Sequence, residues 1–139
     1  LYPDGRIDPD AEVARLLGAD RVVLQFPVQW YSTPPLLKTW QDVVLTRMVY
    51  IRYETEGRML EGKPLMVAAT AGNTTKAYSA IGANLFPLEE LLRPLQATAH
   101  RCGLVWLEPW LLYRAGKLAA PAIAAAAAAY AARLEAVGH

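Results

Sequence analysis

Two short stretches concentrate the groups that can bind and do chemistry. Pro27-Val28-Gln29-Trp30-Tyr31-Ser32 holds two large aromatics, an amide and a hydroxyl within six residues. Thr70-Ala71-Gly72-Asn73 follows later, with Tyr78 shortly beyond it. Trp30 and Tyr31 offer apolar faces and polar edges, while Gly72 lets main-chain N–H groups come close to heteroatoms. Together these features suit a flat, extended heteroaromatic ring lying between two loops. Taken singly, each has a plainer role: the aromatics pack in a core or at a subunit contact, and Gly72 serves a turn.

Whatever positions these groups must fit within 139 residues, which is the size of one compact domain. Lys and Arg number 14 against 13 Asp and Glu, a net charge of +1, so no basic stripe is available to release counterions from a nucleic-acid backbone. The single Cys102 excludes an internal disulfide. With only His100 and His139 beside it there are too few soft ligands for a zinc site, and no metal is expected. Cys102 reads as a small buried apolar group, His100 as a surface helix residue, and a reducing cytoplasm as the fitting compartment. The longest apolar stretch, Leu118 to Ala132, is mostly alanine and contains Pro121, so it reads as the helix of a soluble protein and not as a membrane span. No secretory leader is evident, and Leu1 in place of Met implies that the sequence does not open at a native translation start.

The elements alternate. Apolar spacing over Asp8 to Gly18 predicts a helix capped by Asp8 or Asp10. Arg21 to Phe26 reads as a strand covered on both faces, ending at Pro27. Ser32 or Thr33 can cap a helix opening with Pro34 and Pro35 and carrying Leu36, Leu37, Trp40, Val43 and Val44. Thr46 to Gly62, of mixed polarity, reads as a long surface loop. Pro64 to Ala69 is a second strand. Leu88, Leu91, Leu92 and Leu95 mark a helix that Pro94 must kink or restart, running on to Gly103. Leu104 to Leu107, continuing into Trp110 to Tyr113, is a third strand, and an alanine-rich helix over 118–137 closes the chain. The order α-β-α-β-α-β-α argues an α/β parallel sheet with helices on both faces. A leading helix with no strand before it suggests that one βα unit of the fold is not in this sequence. In such sheets ligands gather beyond the carboxyl ends of the strands, which is where both candidate loops fall. A reduced flavin carries negative charge near its pyrimidine edge, and main-chain N–H dipoles around Gly72 would stabilise it. No G-x-G-x-x-G, P-loop or G-x-S-x-G motif occurs.

The run Gln25-Phe26-Pro27-Val28-Gln29-Trp30-Tyr31-Ser32-Thr33-Pro34-Pro35-Leu36-Leu37-Lys38-Thr39-Trp40 resembles the flavin-ring segment of the flavodoxin-like NAD(P)H:quinone reductases. That family includes the DT-diaphorase type, the bacterial modulators of drug activity and the ancillary oxidoreductases of glutathione-gated potassium efflux systems. Leu60-Glu61-Gly62-Lys63, the stretch Leu91 to Ala99, and Cys102-Gly103-Leu104 leading to Leu107-Glu108-Pro109 extend the resemblance, and Leu1-Tyr2-Pro3-Asp4 is similar to the family's approach to its second helix.

The resemblance implies a flavodoxin-like three-layer sandwich whose C-terminal portion is residues 1–139, with the first βαβ part lacking. It implies a homodimeric enzyme that binds FAD or FMN, takes hydride from NADPH or NADH and passes two electrons to a quinone. Pro27, Val28, Gln29, Trp30 and Tyr31 match the loop along the flavin ring. Thr70, Ala71, Gly72 and Asn73 match the family's T-T-G-G loop at the pyrimidine side, with one hydroxyl and one glycine fewer. Tyr78 matches the ring-edge tyrosine that balances charge on reduction. Where the DT-diaphorase type has a histidine, this chain has Asn84, and an amide cannot relay a proton as imidazole does. The family's opening strand, phosphate-binding loop and following helix have no counterpart in the sequence. Their loss would weaken flavin binding by orders of magnitude, bare one edge of the Arg21–Phe26 strand, and mark the chain as a fragment or truncated gene model. Two alternatives stand beside the enzyme: a regulatory ancillary subunit with a membrane transporter partner in a potassium efflux system, and a relative that folds without cofactor.

Overall fold

The structure is a computed structural model and describes residues 2–136. In chain order the main elements are α1 (Pro9–Gly18), β1 (Val22–Pro27), α2 (Pro35–Trp40), β2 (Pro64–Thr70), α3 (Leu88–Leu91), α4 (Arg93–Arg101), β3 (Val105–Trp106), β4 (Trp110–Leu112) and α5 (Ala120–Ala136). Val137, the last residue expected in the closing helix, lies outside the described residues.

The four strands form one parallel sheet. β1 runs beside β2 in register from Val22↔Leu65 to Pro27↔Thr70. β3 and β4 share the opposite edge of β2, β3 beside its start at Pro64↔Val105 and β4 beside its end at Thr70↔Leu112. They are two halves of one strand position, interrupted at Leu107-Glu108-Pro109, because proline cannot donate to the ladder.

β2 is buried on both faces through Leu65, Met66, Val67, Ala68 and Ala69, as its unbroken apolar run requires. β1 departs from the same expectation. Val22 and Phe26 are buried against the main core, but Gln25 on the other face is exposed. That main core lies on one side of the sheet, where Val13 and Leu16 of α1, Val44 and Met48 after α2, and Leu95 and Ala99 of α4 meet Phe26, Val67 and Ala69.

Asp8 caps α1, its carboxylate accepting from the amides of Asp10 and Ala11. At the other end Lys63 Nζ donates to the carbonyls of Leu16, Leu17 and Ala19 at 2.8, 3.1 and 2.5 Å, so a cation from the start of β2 closes the helix that precedes β1. Neither Ser32 nor Thr33 caps α2. The N-cap is Pro34 with no side-chain bond, and Ser32 is engaged in the hairpin described below.

Thr46 to Gly62 is not a long loop. α2 runs on as wide π-helical turns over Gln41–Leu45 and Arg47–Ile51, and a short 3-10 turn forms over Gly57–Leu60. Val44, Met48, Val49 and Leu60 are drawn into the core, and the steps of four and five residues from Val44 to Met48 and Val49 fit widened turns. Gly57 makes the return possible: a Cβ there would stand 2.3 Å from the Met48 carbonyl oxygen. Pro94 restarts the later helix, as α3 stops at Leu91 and α4 begins at Arg93 with the proline in its first turn.

Candidate functional site

The carboxyl ends of β1, β2 and β4 face the same rim. After β1, the Val28 amide donates to the Thr70 carbonyl at 2.8 Å, so the first candidate loop is fastened directly to the start of the second. Gln29 and Ser32 then exchange both main-chain hydrogen bonds at 3.0 Å, closing a two-residue hairpin around Trp30 and Tyr31. Both central residues have positive φ, +44° and +64°. This is the backbone sense of a type I′ turn, which Asn-Gly ordinarily occupies, and two aromatic side chains there carry strain on the order of 1–2 kcal/mol each. Trp30 is consequently lifted clear of the protein, 92% exposed, and Tyr31 is also exposed. The core role open to these aromatics from sequence is not the one Trp30 has.

After β2, Thr70 is half-buried, Ala71 buried, and Gly72 and Asn73 exposed. Ala71 is clamped to the far strand, its amide donating to the Leu112 carbonyl at 2.8 Å and its carbonyl accepting from Ala115 at 3.1 Å. The Asn73 carbonyl accepts from the Arg114 amide at 3.1 Å, and the Asn73 side chain accepts from the Thr74 amide at 2.9 Å. The amides of Gly72 and Asn73 donate to no other group among the described residues. A Cβ at Gly72 would meet open space, so no protein neighbour demands glycine there, and the main chain stays accessible from the rim. Two uncommitted N–H donors on a loop clamped at both sides form the kind of preorganised dipole pair that stabilises negative charge on a bound group.

Tyr78 sits in the turn-rich segment that follows and is half-buried. Burial, and secondarily the Tyr31 phenol, push its pKa above the usual tyrosine value, so it is a neutral O–H donor at physiological pH. Gly82 lets this segment fold on itself, since a Cβ there would lie 2.3 Å from the carbonyl oxygens of Lys76 and Ala77. Tyr31 reaches across to the Asn84 carboxamide oxygen with a long hydrogen bond of 3.4 Å, so Asn84 joins the two loops. Pro27, Val28, Gln29, Trp30 and Tyr31 thus stand on one side of the rim and Thr70, Ala71, Gly72 and Asn73 on the adjacent side, with Tyr78 beyond them.

Sequence reasoning passed over Tyr113. It directly follows β4, and its ring meets that of Tyr78 edge-on with centroids 5.9 Å apart at 60°. The rule that ligand loops follow strand ends would have found it, had it been applied to the third strand as to the first two. Also unforeseen is a cavity of about 460 Å³ between α2 with its π-helical extension and α4, which reaches the rim through Val28, Tyr31 and Ser32 and holds the Cys102 thiol in its wall. Burial pushes that thiol's pKa up, which agrees with an inert packing role.

A family model described as the flavodoxin-like fold matches residues 1–134, and the chain belongs to that family. An uncharacterized NAD(P)H oxidoreductase of Bacillus subtilis, YdeQ, is 41% identical over 129 residues, 93% of this chain and 64% of the relative. The glutathione-regulated potassium-efflux system ancillary protein KefF of Klebsiella pneumoniae is 47% identical over 113 residues, 81% of this chain and 62% of the relative. This chain therefore spans less than two thirds of the curated relatives it matches. Among solved structures, general stress protein 14 of Treponema denticola in complex with FMN superposes with a TM-score of 0.85 at 33% identity, covering 98% of this chain and 76% of that one. An NADPH-quinone reductase of P. pentosaceus gives 0.81 at 31%, covering 91% and 73%. A thermophilic tryptophan halogenase from S. violaceusniger gives 0.85 at 43%, covering 93% and 74%.

Proposed function

We propose that this chain carries the flavin-ring site of an NAD(P)H oxidoreductase whose acceptor is a quinone, with FMN the first candidate cofactor and FAD the second. The observation that carries the reading is the pair of uncommitted Gly72 and Asn73 amides, clamped beside the exposed Trp30 hairpin at one sheet rim. It is supported by the FMN complex of the general stress protein 14 relative and by the names of the oxidoreductase and quinone reductase relatives. The flavin, when bound, accepts a hydride from NADPH or NADH and delivers two electrons to the acceptor. The chain's part is to hold and tune it. Trp30 and Tyr31, with Pro27, Val28 and Gln29, would line the ring; in the Thr70, Ala71, Gly72 and Asn73 loop the Gly72 and Asn73 amides would donate to its pyrimidine edge; and the neutral Tyr78 phenol would donate a hydrogen bond there. The tryptophan halogenase shares the fold, and a fold alone does not confer its named activity.

Titration of the full chain with FMN and with FAD, followed by visible absorption and flavin fluorescence, tests the reading. Binding of either, weakened in Trp30→Ala and Gln29→Ala and unchanged in Cys102→Ser, is the expected result. A chain that takes up neither flavin removes the proposal and leaves the relative without cofactor as the surviving alternative.

Two finer statements belong to the same reading. The α2 extension leaves Ile51 71% exposed at its end, and Tyr50, which meets Arg101 of α4, 66% exposed; a homodimer is expected by light scattering. The likeness to KefF favours a second role as an ancillary subunit of a potassium efflux system, tested by pull-down with the transporter's cytosolic domain. A cytoplasmic site of action fits the nicotinamide coenzyme and the lone thiol; no helix among the described residues is long and apolar enough to cross a membrane.

A further inference from the structure

We infer that Tyr113 is a positioning residue that holds Tyr78 in place at the edge of the proposed flavin-ring site, an inference that rests on that reading of the site. The two rings pack edge-on, centroids 5.9 Å apart at 60°, within the range at which aromatic pairs attract beyond simple burial.

The two tyrosines are mounted very differently. Tyr113 follows β4, and on either side of it the main chain is pinned to the loop after β2: Leu112 accepts from Ala71, Arg114 donates to Asn73, and Ala115 donates to Ala71. Arg114 itself is held at φ +56°, a conformation that persists in a non-glycine residue only where its surroundings impose it. Tyr78 lies instead in a segment built from short-range turns, Tyr78 to Thr74, Gly82 to Ser79 and Asn84 to Ala77. That segment is otherwise tied across the rim by the long Tyr31–Asn84 hydrogen bond. Ile81 and Leu85 within it are exposed, so it gains little from burial of its own. The rigid face of Tyr113 is what a loosely anchored Tyr78 can rest on. Burial raises both phenols above the usual tyrosine value and keeps both neutral.

The test uses the full chain and its Tyr113→Leu, Tyr113→Phe and Tyr78→Leu variants, with the Tyr113/Tyr78 double variant. Without flavin, the rate of tryptic cleavage after Lys76 reports how firmly the Tyr78 segment is held. Tyr113→Leu should raise it about 2- to 10-fold, Tyr113→Phe should leave it at the parent value, and the double variant should exceed Tyr78→Leu by little. With FMN bound, Tyr113→Leu should weaken affinity by a similar factor and make the flavin midpoint potential more negative, and Tyr113→Phe should restore both. Unchanged cleavage in Tyr113→Leu, or additive effects in the double variant, overturns the inference. So does faster cleavage with an unmoved potential, which would reduce Tyr113 to ordinary packing. If the parent chain binds neither FMN nor FAD, the flavin reading falls by itself, while the cleavage series still decides whether Tyr113 holds Tyr78. Should Tyr113→Leu fail to fold by circular dichroism, Tyr113→Met with the same readouts takes its place.

Discussion

Trp30 and Tyr31 show a local conformation working against local preference. Their hairpin is closed by two hydrogen bonds, yet both residues occupy the left-handed region that L side chains avoid. Strain of this kind is retained where a side chain must be presented and not packed. Tyr31→Gly should therefore raise stability by about 0.5–1 kcal/mol, or roughly 2–4 °C in Tm, because relief of the strain outweighs loss of the long, exposed Tyr31–Asn84 hydrogen bond. The same variant should bind FMN more weakly. Calorimetry and flavin titration on one sample decide it: a lower Tm would mean that the turn is not strained, and unaltered FMN affinity would mean that the Tyr31 ring takes no part. Gly72 is the opposite case, since nothing in the protein requires glycine there. Its type was readable from the chain, but the open space around it and the lack of an acceptor for its amide among the described residues were not.

At the scale of elements, the extension of α2 depends on one ion cluster. Glu56 is 7% exposed and accepts from Arg47 at 2.7, 3.0 and 3.2 Å and from Arg52 at 3.2 Å, while Arg47 also pairs with Asp10 at 2.6 Å. The hydrogen bonds from Arg47, ahead of burial acting in the other direction, hold the Glu56 carboxyl below its ordinary value of 4.5. A depressed carboxylate contributes stability that is fully present above the unfolded value and lost as pH falls through the folded one. Glu56→Gln should lower Tm by about 5–10 °C at pH 7, and the gap from the parent should close as the pH drops below 4.5. A gap that is constant with pH would show that shape and not charge holds this segment. α5 is secured more lightly. Tyr130 stacks on Trp110 at 4.7 Å and donates to the Gln25 side chain at 2.9 Å, and no residue of the helix is fully buried. Tyr130→Ala should accordingly increase amide exchange along Ala120–Ala136 while β2 stays protected, whereas equal loss of protection in both would make α5 part of the cooperative core.

Across the whole molecule, protection should follow the sheet. β2 has partners on both edges and cover on both faces, whereas β1 pairs only with β2 among the described residues and exposes Gln25. Hydrogen exchange should find the amides of Val67 and Ala69 the slowest in the protein and those of β1 at least about tenfold faster. β1 outlasting β2 would show that its free edge is covered in solution, as a second copy or a further segment would cover it.

Much of this architecture was legible from apolar spacing. The three strand runs, the helix at Asp8–Gly18, the restart at Pro94 and the two rim loops all rest on neighbours within a few residues, and short-range sterics and periodicity settle such features. The extension of α2 was not legible. It follows from a buried Glu56–Arg47 pair and a glycine seated against Met48, contacts that spacing alone does not announce. The chain determined which residues could meet a flat ring. Only the tertiary structure decided that the Gly72 and Asn73 amides are left without partners among the described residues and that Tyr113 stands against Tyr78, because both depend on strand ends far apart in sequence that the parallel sheet brings together.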